Sequence, residues 1–495
     1  MNKDNKQALN PYLPLDEYVP DGEVHVFGDR VYLFGSHDKE AGDSFCLLNY
    51  VVWSAPIDNL SNWSNTGVTY SPSQDPLYDP DKMAYLFAPD VVQGNDGRFY
   101  LYYCMSGPKG KGGYSNPISV AVSDSPDGKY EYLGVVRNPD GTPLMKYICF
   151  DPAVINDDGT IRLYYGTRYP FDEMQYPIVK NILHIVMSKV FGRTVKEVKN
   201  AKDSLMGPIH VELAEDMLTV KSEPARIIPS VVKNTEFEKY PFFEASSIRK
   251  IGDTYYFVYS SMGSHELCYA TSKYPDRDFT FRGVIISNAD IGFKENQTVM
   301  NQAGNNHGCI ECVNGQWYVF YQRHTHGTSY SRQACAEKID ILSDGSIPMV
   351  EMTSCGLNAG PLPGYGTYSA AYCCNISNKK MKYVMNGKAS ANSPCVSSDG
   401  EKRFVTNISD ETLVGYKYFQ FKDVSKIGIR YRGNAKGNIF IYTEQNGKEA
   451  GKISIEASSD WTTSETTCNI SNGVSALFFV YKGKGKIDLQ EFTIS

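Results

Sequence analysis

Short runs of alternating apolar and polar residues, broken by Gly, Asp, Asn and Pro, fill the first 347 residues, and helix-length windows show little 3.6-residue periodicity. One stretch, PFFEASSIRKIGDTYYFVYSS (241–261), sets the grammar. It reads as a strand from Ala245 to Lys250, a tight turn at Gly252-Asp253 and a second strand rich in Tyr, Phe and Val, which together predict a β-hairpin. The same unit recurs at Gly28-Asp29 before VYLFGS, Asp96-Gly97 before FYLYYC, Asp158-Gly159 before IRLYYG and Asn314-Gly315 before WYVFYQ. The copies lie roughly 60 to 95 residues apart, room for about four strands each, the size of one propeller blade. The pattern therefore predicts an all-β chain whose residues 1–347 form a five-bladed β-propeller. In the long interval between the third and fourth copies, NILHIVMSKVFGRTVKEVKNAKDSL (181–205) predicts a short helix or an elaborated loop, and VELAEDMLTV an outer strand. Residues 348–374, containing GLNAGPLPGYGTYSAAY, read as a Gly- and Pro-rich connector. Residues 375–495 return to alternation in YKYFQF, KIGIRYRG, NIFIYTE, KISIEA, ALFFVYKG and IDLQEF, predicting a β-sandwich.

Each hairpin carries one polar residue about eight positions ahead of its turn, where the first strand begins. These are Asp21, Asp90, Asp151, Glu244 and His307. Innermost strands surround a propeller's axis, so residues placed identically at their starting ends converge on one pocket although they lie far apart in sequence.

Composition narrows the chemistry. The chain has 36 Tyr and 13% aromatic residues, an excess that suits strands and sugar-stacking surfaces. A net charge of −7 argues against nucleic acid and anionic membranes as partners, since both need a basic face. No run of about 18 apolar residues predicts a spanning helix. The N-terminal MNKDNKQALNPYLP lacks the apolar core of a secretory signal, so the expectation is a cytoplasmic protein. Cys46, Cys104, Cys149 and Cys268 lie in apolar runs, and Cys309 and Cys312 lack a second pair at zinc-finger spacing; they read as reduced thiols.

Two carboxylates facing each other across a sugar-sized pocket are the minimum equipment for hydrolysing a glycosidic bond, one ionised to activate water and one protonated to assist departure. A third carboxylate near the acid raises its pKa and orients it. Asp21, Asp151 and Glu244 offer such a trio. Singly, each has a plainer reading: Asp21 can shape a Pro-Asp-Gly turn, Asp151 can be a pre-proline turn residue, Asp90 can serve as a structural hydrogen-bond acceptor, and His307 can be a satisfied core imidazole. Glu244, between apolar strand residues, is costly without a partner.

The motifs VPDGEVHVFGDRVYLFGSHD, YLFAPDVV, FDPAVINDDG, FFEASSIRK and NNHGCIECVNGQWYVFYQRHTHG resemble glycoside hydrolase family 43 across the whole propeller. The resemblance implies inverting, exo-acting hydrolysis of arabinose- and xylose-containing glycans, with Asp21 as general base, Asp151 as pKa modulator and Glu244 as general acid. It places Asp90, Phe87 and Arg332 at the substrate, with Phe87 where relatives carry Trp and Gln333 in place of the usual acidic neighbour of Arg332. It also implies a Ca²⁺ ion on the propeller axis at His307. The last domain resembles a family 6 carbohydrate-binding module through VGYKYFQF, IRYRGNAKGNIFIY and ALFFVYKGKGKIDLQEF. The expected activity is release of terminal α-L-arabinofuranose, with β-D-xylose as a further sugar, from a pentose-containing oligosaccharide or polysaccharide. The alternatives are a β-xylosidase with minor arabinofuranosidase activity and a non-catalytic sugar-binding propeller.

Overall fold

The computed structural model describes residues 7–495 except 109–112, 170–175, 200–203, 264, 379–380, 382–391 and 446. Blade 1 comprises β1 (Glu23–Phe27), β2 (Arg30–Phe34), β3 (Tyr50–Pro56) and β4 (Ser64–Tyr70). Blade 2 comprises β5 (Tyr85–Gln93), β6 (Phe99–Ser106), β7 (Ser119–Ser123) and β8 (Glu131–Val135). Blade 3 follows with β9 (Ala153–Asp157), β10 (Thr160–Tyr165), β11 (Ile209–Leu213) and β12 (Ala225–Arg226). Blade 4 is β13 (Phe242–Ile251), β14 (Thr254–Ser261), β15 (Leu267–Ser272) and β16 (Thr280–Ile286), and blade 5 is β17 (Cys309–Val313), β18 (Gln316–His324) and β19 (Arg332–Lys338). Strands within each blade run antiparallel in chain order. The first strands β1, β5, β9, β13 and β17 touch one another in sequence, and β17 returns to β1, closing the ring.

The five predicted hairpins are β1–β2, β5–β6, β9–β10, β13–β14 and β17–β18, each tight enough to need left-handed residues at its turn. Gly28, Gly97, Gly159, Gly252 and Gly315 all have positive φ there. Blade 5 has only three strands among the described residues, and the N-terminal segment covers the edge of β19. Tyr12 N–H donates to the Ala334 carbonyl (3.3 Å), and the Asn10 amide bonds both the Ala336 carbonyl (2.8 Å) and its N–H (2.9 Å). Ala8, Tyr12 and Leu13 complete the core shared by blades 1 and 5, with Val24, Val31, Cys309 and Phe320. This joins the last blade to the first.

The interval between β10 and β11 holds α1 (Pro177–Val190), which begins four residues before the stretch 181–205 expected to form a short helix or an elaborated loop, and α2 (Val195–Lys199), inside it; residues 200–203 of that stretch lie outside the described residues. A proline in its first turn starts α1. Met187, with Phe191 and Val198, packs on Ile148, Phe150 and Met206. VELAEDMLTV begins inside β11, the third strand, and then turns; the outer strand is β12.

The remaining chain forms two facing six-stranded sheets. Tyr416, Phe419, Phe421, Ile429, Phe479, Leu489 and Phe492 fill the space between them, as alternation on each strand requires. The segment expected as a connector supplies two strands, Leu362–Pro363 pairing in parallel with Leu413–Phe421 and Gly366–Ser369 pairing with Ile487–Ile494. The sandwich sits against blade 5: Val396 N–H donates to the Thr325 carbonyl (2.8 Å), and Arg323 reaches the Cys373 carbonyl (3.0 Å).

Candidate active site

A cavity of about 680 Å³ opens where the inner strands begin, and its wall includes Asp21, Asp151, Glu244, His307, Phe87 and Arg332. Aromatic rings of Phe45, Tyr114, Phe150, Phe243 and Tyr330 supply apolar faces, and Lys189 and Val190 at the end of α1 close one side.

Backbone conformation explains how strand-start residues reach the cavity. Asp21 (φ 56°), Ala88 (φ 35°), Asp151 (φ 44°), Ala245 (φ 68°) and Asn305 (φ 45°) are all left-handed, one from each blade. Such conformations cost non-glycine residues of order 1–3 kcal/mol each and persist only where surrounding structure enforces them. In blade 4 the pairing of β13 with β14 slips on both sides of Glu244, a bulge that re-aims its carboxyl group.

The carboxylates differ in environment. Burial pushes the Asp21 carboxyl up, but the Arg332 guanidinium, His307 and hydrogen bonds from Ser36 and Gln322 outweigh it and hold Asp21 below the usual aspartate value. Arg332 Nη1 donates to Asp21 Oδ1 at 2.6 Å. Asp151 is pushed well up, first by burial and then by the Asp21 charge. Its Oδ2 accepts from the Ala245 N–H at 2.9 Å, fixing the backbone next to Glu244. Glu244 is also raised well above the usual value, by burial, then by Asp151, then by Asp21. One carboxylate is thus prepared to be ionised and the opposed one to keep its proton.

Arg332 is held by more than the expected neighbour. Its Nε and Nη2 grip Asp38 in a bidentate pair (2.8 and 3.0 Å), its Nη1 also reaches Asn305 (2.9 Å), and its guanidinium lies over the Phe45 ring. Asp38 supplies the negative charge that Gln333 lacks, while the Gln333 amide is committed to Thr325 and the Leu15 carbonyl. The sequence reading missed Asp38, Gln322 and Asn305. It also missed Ser106 and Asn306, which line the cavity with a buried side-chain polar atom free of protein partners.

Asp90 is corrected. It lies fully buried off the cavity, accepting from the Val91 N–H (2.7 Å), the Val154 N–H (2.7 Å) and the His25 ring (2.7 Å), so it ties blades 1, 2 and 3 together and has no surface for a sugar. Phe87 does line the cavity, edge-on to Phe150.

His307 Nδ1 stands 3.6 Å from Asp21 and 3.8 Å from Asp151, beyond hydrogen-bond range of either. Burial lowers its pKa to about 4, leaving a neutral imidazole able to act as a ligand. Among the described residues, the group of three donors close enough to share an ion is Glu23, His25 and Asp90. His25 Nε2 bonds Asp90 Oδ1 (2.7 Å) and Arg249 Nη2 donates to Glu23 Oε2 at 3.0 Å, while Glu23 Oε1 is buried without a hydrogen-bond partner. Around His307 the described residues offer one neutral imidazole with carboxylate oxygens of Asp21 and Asp151 3.6 and 3.8 Å from its Nδ1, a donor set that leaves most of a Ca²⁺ ion's oxygen shell to water.

The model of glycosyl hydrolases family 43 matches residues 9–212. A xylosidase/arabinosidase of Thermoclostridium stercorarium is 44% identical over 506 residues, covering 99% of each chain. A xylosidase/arabinosidase of Bacteroides ovatus is 28% identical, covering 69% of this chain and 97% of the relative. Among solved structures, a family 43 β-xylosidase/α-arabinofuranosidase from a compost microbial metagenome, in complex with xylotriose, superposes with a TM-score of 0.52 at 27% identity, covering 68% of this chain and 97% of the other.

Proposed function

The chain belongs to glycosyl hydrolases family 43, and from that premise we propose that it is an inverting, exo-acting hydrolase releasing terminal α-L-arabinofuranose, and also β-D-xylose, from arabinoxylan-derived oligosaccharides. The observation that carries the reading is the opposed preparation of Asp21 and Glu244 in one aromatic-walled cavity. Asp21 takes a proton from water as that water attacks the anomeric carbon, while Glu244 donates its proton to the departing oxygen. Asp151 holds Glu244 through the Ala245 N–H, and burial, then the neighbouring Asp151 carboxyl, raise the Glu244 pKa. Arg332 keeps Asp21 ionised and presents a fixed cation to the sugar. Activity towards both sugars is supported by the xylosidase/arabinosidases of Thermoclostridium stercorarium and Bacteroides ovatus. Assays on nitrophenyl α-L-arabinofuranoside and β-D-xylopyranoside test it: hydrolysis of both is expected, and hydrolysis of neither would favour a non-catalytic sugar-binding propeller.

The carboxylates also set the pH profile. Asp21 works ionised, so kcat/KM rises as pH climbs through its lowered pKa; Glu244 works protonated, so kcat/KM falls as pH passes its raised pKa. Arg332 lowers both groups, so Arg332→Met is expected to move both limbs to higher pH. A profile with unmoved limbs would break the electrostatic account.

A Ca²⁺ held at His307 would supply positive charge near Asp21 and Asp151. His307 is its one direct protein ligand in this reading. Exhaustive chelation is expected to lower activity and Tm together, with both restored by calcium and neither lost further in His307→Ala. No change in either on chelation would leave His307 a core imidazole.

A further inference from the structure

We propose that the C-terminal sandwich is a working part of the active site, with Arg403 the positioning residue that holds the cavity loop 38–46 in place. The loop lies between β2 and β3 and supplies Asp43, Ser44, Phe45 and Cys46 to the cavity wall. Its first residue, Asp38, is the bidentate partner of Arg332 and also accepts from the Cys46 N–H (2.9 Å), so one carboxylate ties both ends of the loop to the cation that touches Asp21.

Two residues beyond Asp38 the loop carries Glu40, and the sandwich reaches it. Arg403 Nη1 and Nη2 donate to Glu40 Oε1 and Oε2 at 2.6 and 3.0 Å, a two-pronged pair formed across the domain junction. The same guanidinium bonds the Tyr18 hydroxyl (3.3 Å), which in turn donates to Glu40 (3.4 Å), and Tyr18 lies three residues before Asp21. His326 Nδ1 stands 3.5 Å from Glu40, on the blade 5 segment that also receives the backbone bond from Val396 of the sandwich. Beyond Glu40, the Ala41 N–H donates to the Ser331 hydroxyl (2.9 Å), next to Arg332.

Exposed ion pairs between flexible side chains contribute little, but this one is bidentate and its Arg side chain is only 13% exposed. The propeller already anchors the loop through Asp38–Arg332, Ala41–Ser331 and the Phe45 ring against Tyr330, and Arg403 adds the tie from the sandwich at Glu40, between those anchors, to a loop whose residues form the cavity wall. The consequence is a contact made by one domain that acts on substrate binding in the other. This inference rests on the cavity being the pentoside site proposed above.

The test compares Arg403→Met, Arg403→Lys, Glu40→Gln and the Arg403→Met/Glu40→Gln double variant in the full chain. Misplacement of a positioning element commonly costs one to two orders of magnitude, so Arg403→Met is expected to lower kcat/KM about tenfold, chiefly through KM. The loss should be equal on activated and natural leaving groups, because Glu244 is untouched. Arg403→Lys should recover part of the loss, since it keeps the charge but not the fork. The double variant should be no worse than either single one, as for two partners in one contact. Amide hydrogen exchange in residues 38–46 should quicken in Arg403→Met, a readout that needs no substrate. Unchanged kcat/KM and unchanged exchange in folded Arg403→Met, with or without a lower Tm, would overturn the proposal. Absence of pentosidase activity in the unmodified protein would instead overturn the proposed function.

Discussion

Glu244→Gln is expected to lower hydrolysis of natural xylo- and arabino-oligosaccharides by on the order of 10² to 10⁴ while leaving most of the activity on dinitrophenyl pentosides. A sugar hydroxyl is a poor leaving group and needs a proton as the bond breaks, whereas dinitrophenolate departs unaided. The amide cannot donate that proton at any pH, yet it keeps the shape of the carboxyl group in the β13 bulge, so the cavity should survive. The alkaline limb of the pH profile should vanish with the group that causes it. Single-turnover rates on the two substrate classes provide the check. An equal loss on both would give Glu244 another role.

Asp21→Asn should cost about as much, but without regard to the leaving group, because the base acts on water rather than on departure. The substitution also removes the charge that faces Arg332 at 2.6 Å, yet Asp38 still pairs with that guanidinium through two bonds, so the cation does not become orphaned. Azide, which needs no deprotonation, should restore turnover of activated substrates and yield a glycosyl azide of inverted configuration. Near-normal hydrolysis by Asp21→Asn would remove Asp21 from the chemistry.

Much of this arrangement can be read along the chain because its turns use residue types that few other conformations tolerate. Gly28, Gly97, Gly159, Gly252 and Gly315 announce the hairpins by the positive φ they adopt, and the hairpins place the strand starts that carry Asp21, Asp151, Glu244 and His307. The same register misleads at Asp90. Pairing of β5 with β6 slips between Phe87 and Asp90, so Phe87 and Ala88 stay at the cavity while Asp90 turns into the ring of inner strands. No periodic pattern signals such a slip.

Asp38 was hidden for a different reason: it lies in a loop, outside any repeated register, and its partner Arg332 is 294 residues away. The two connector strands were hidden by composition, since Leu362–Pro363 and Gly366–Ser369 are short, rich in Pro and Gly, and gain their order only from the sandwich edges they join. Arg403 carries no signal of its own, because an arginine becomes informative only when the loop it meets is known.

The most direct test of the account is the configuration of the first product, followed by proton NMR while the unmodified protein hydrolyses nitrophenyl β-D-xylopyranoside and α-L-arabinofuranoside. A base that activates water opposite a protonated acid predicts α-D-xylose and β-L-arabinofuranose as the first anomers, with mutarotation following. Initial appearance of β-D-xylose or α-L-arabinofuranose would mean a covalent intermediate and would contradict the roles given to Asp21 and Glu244.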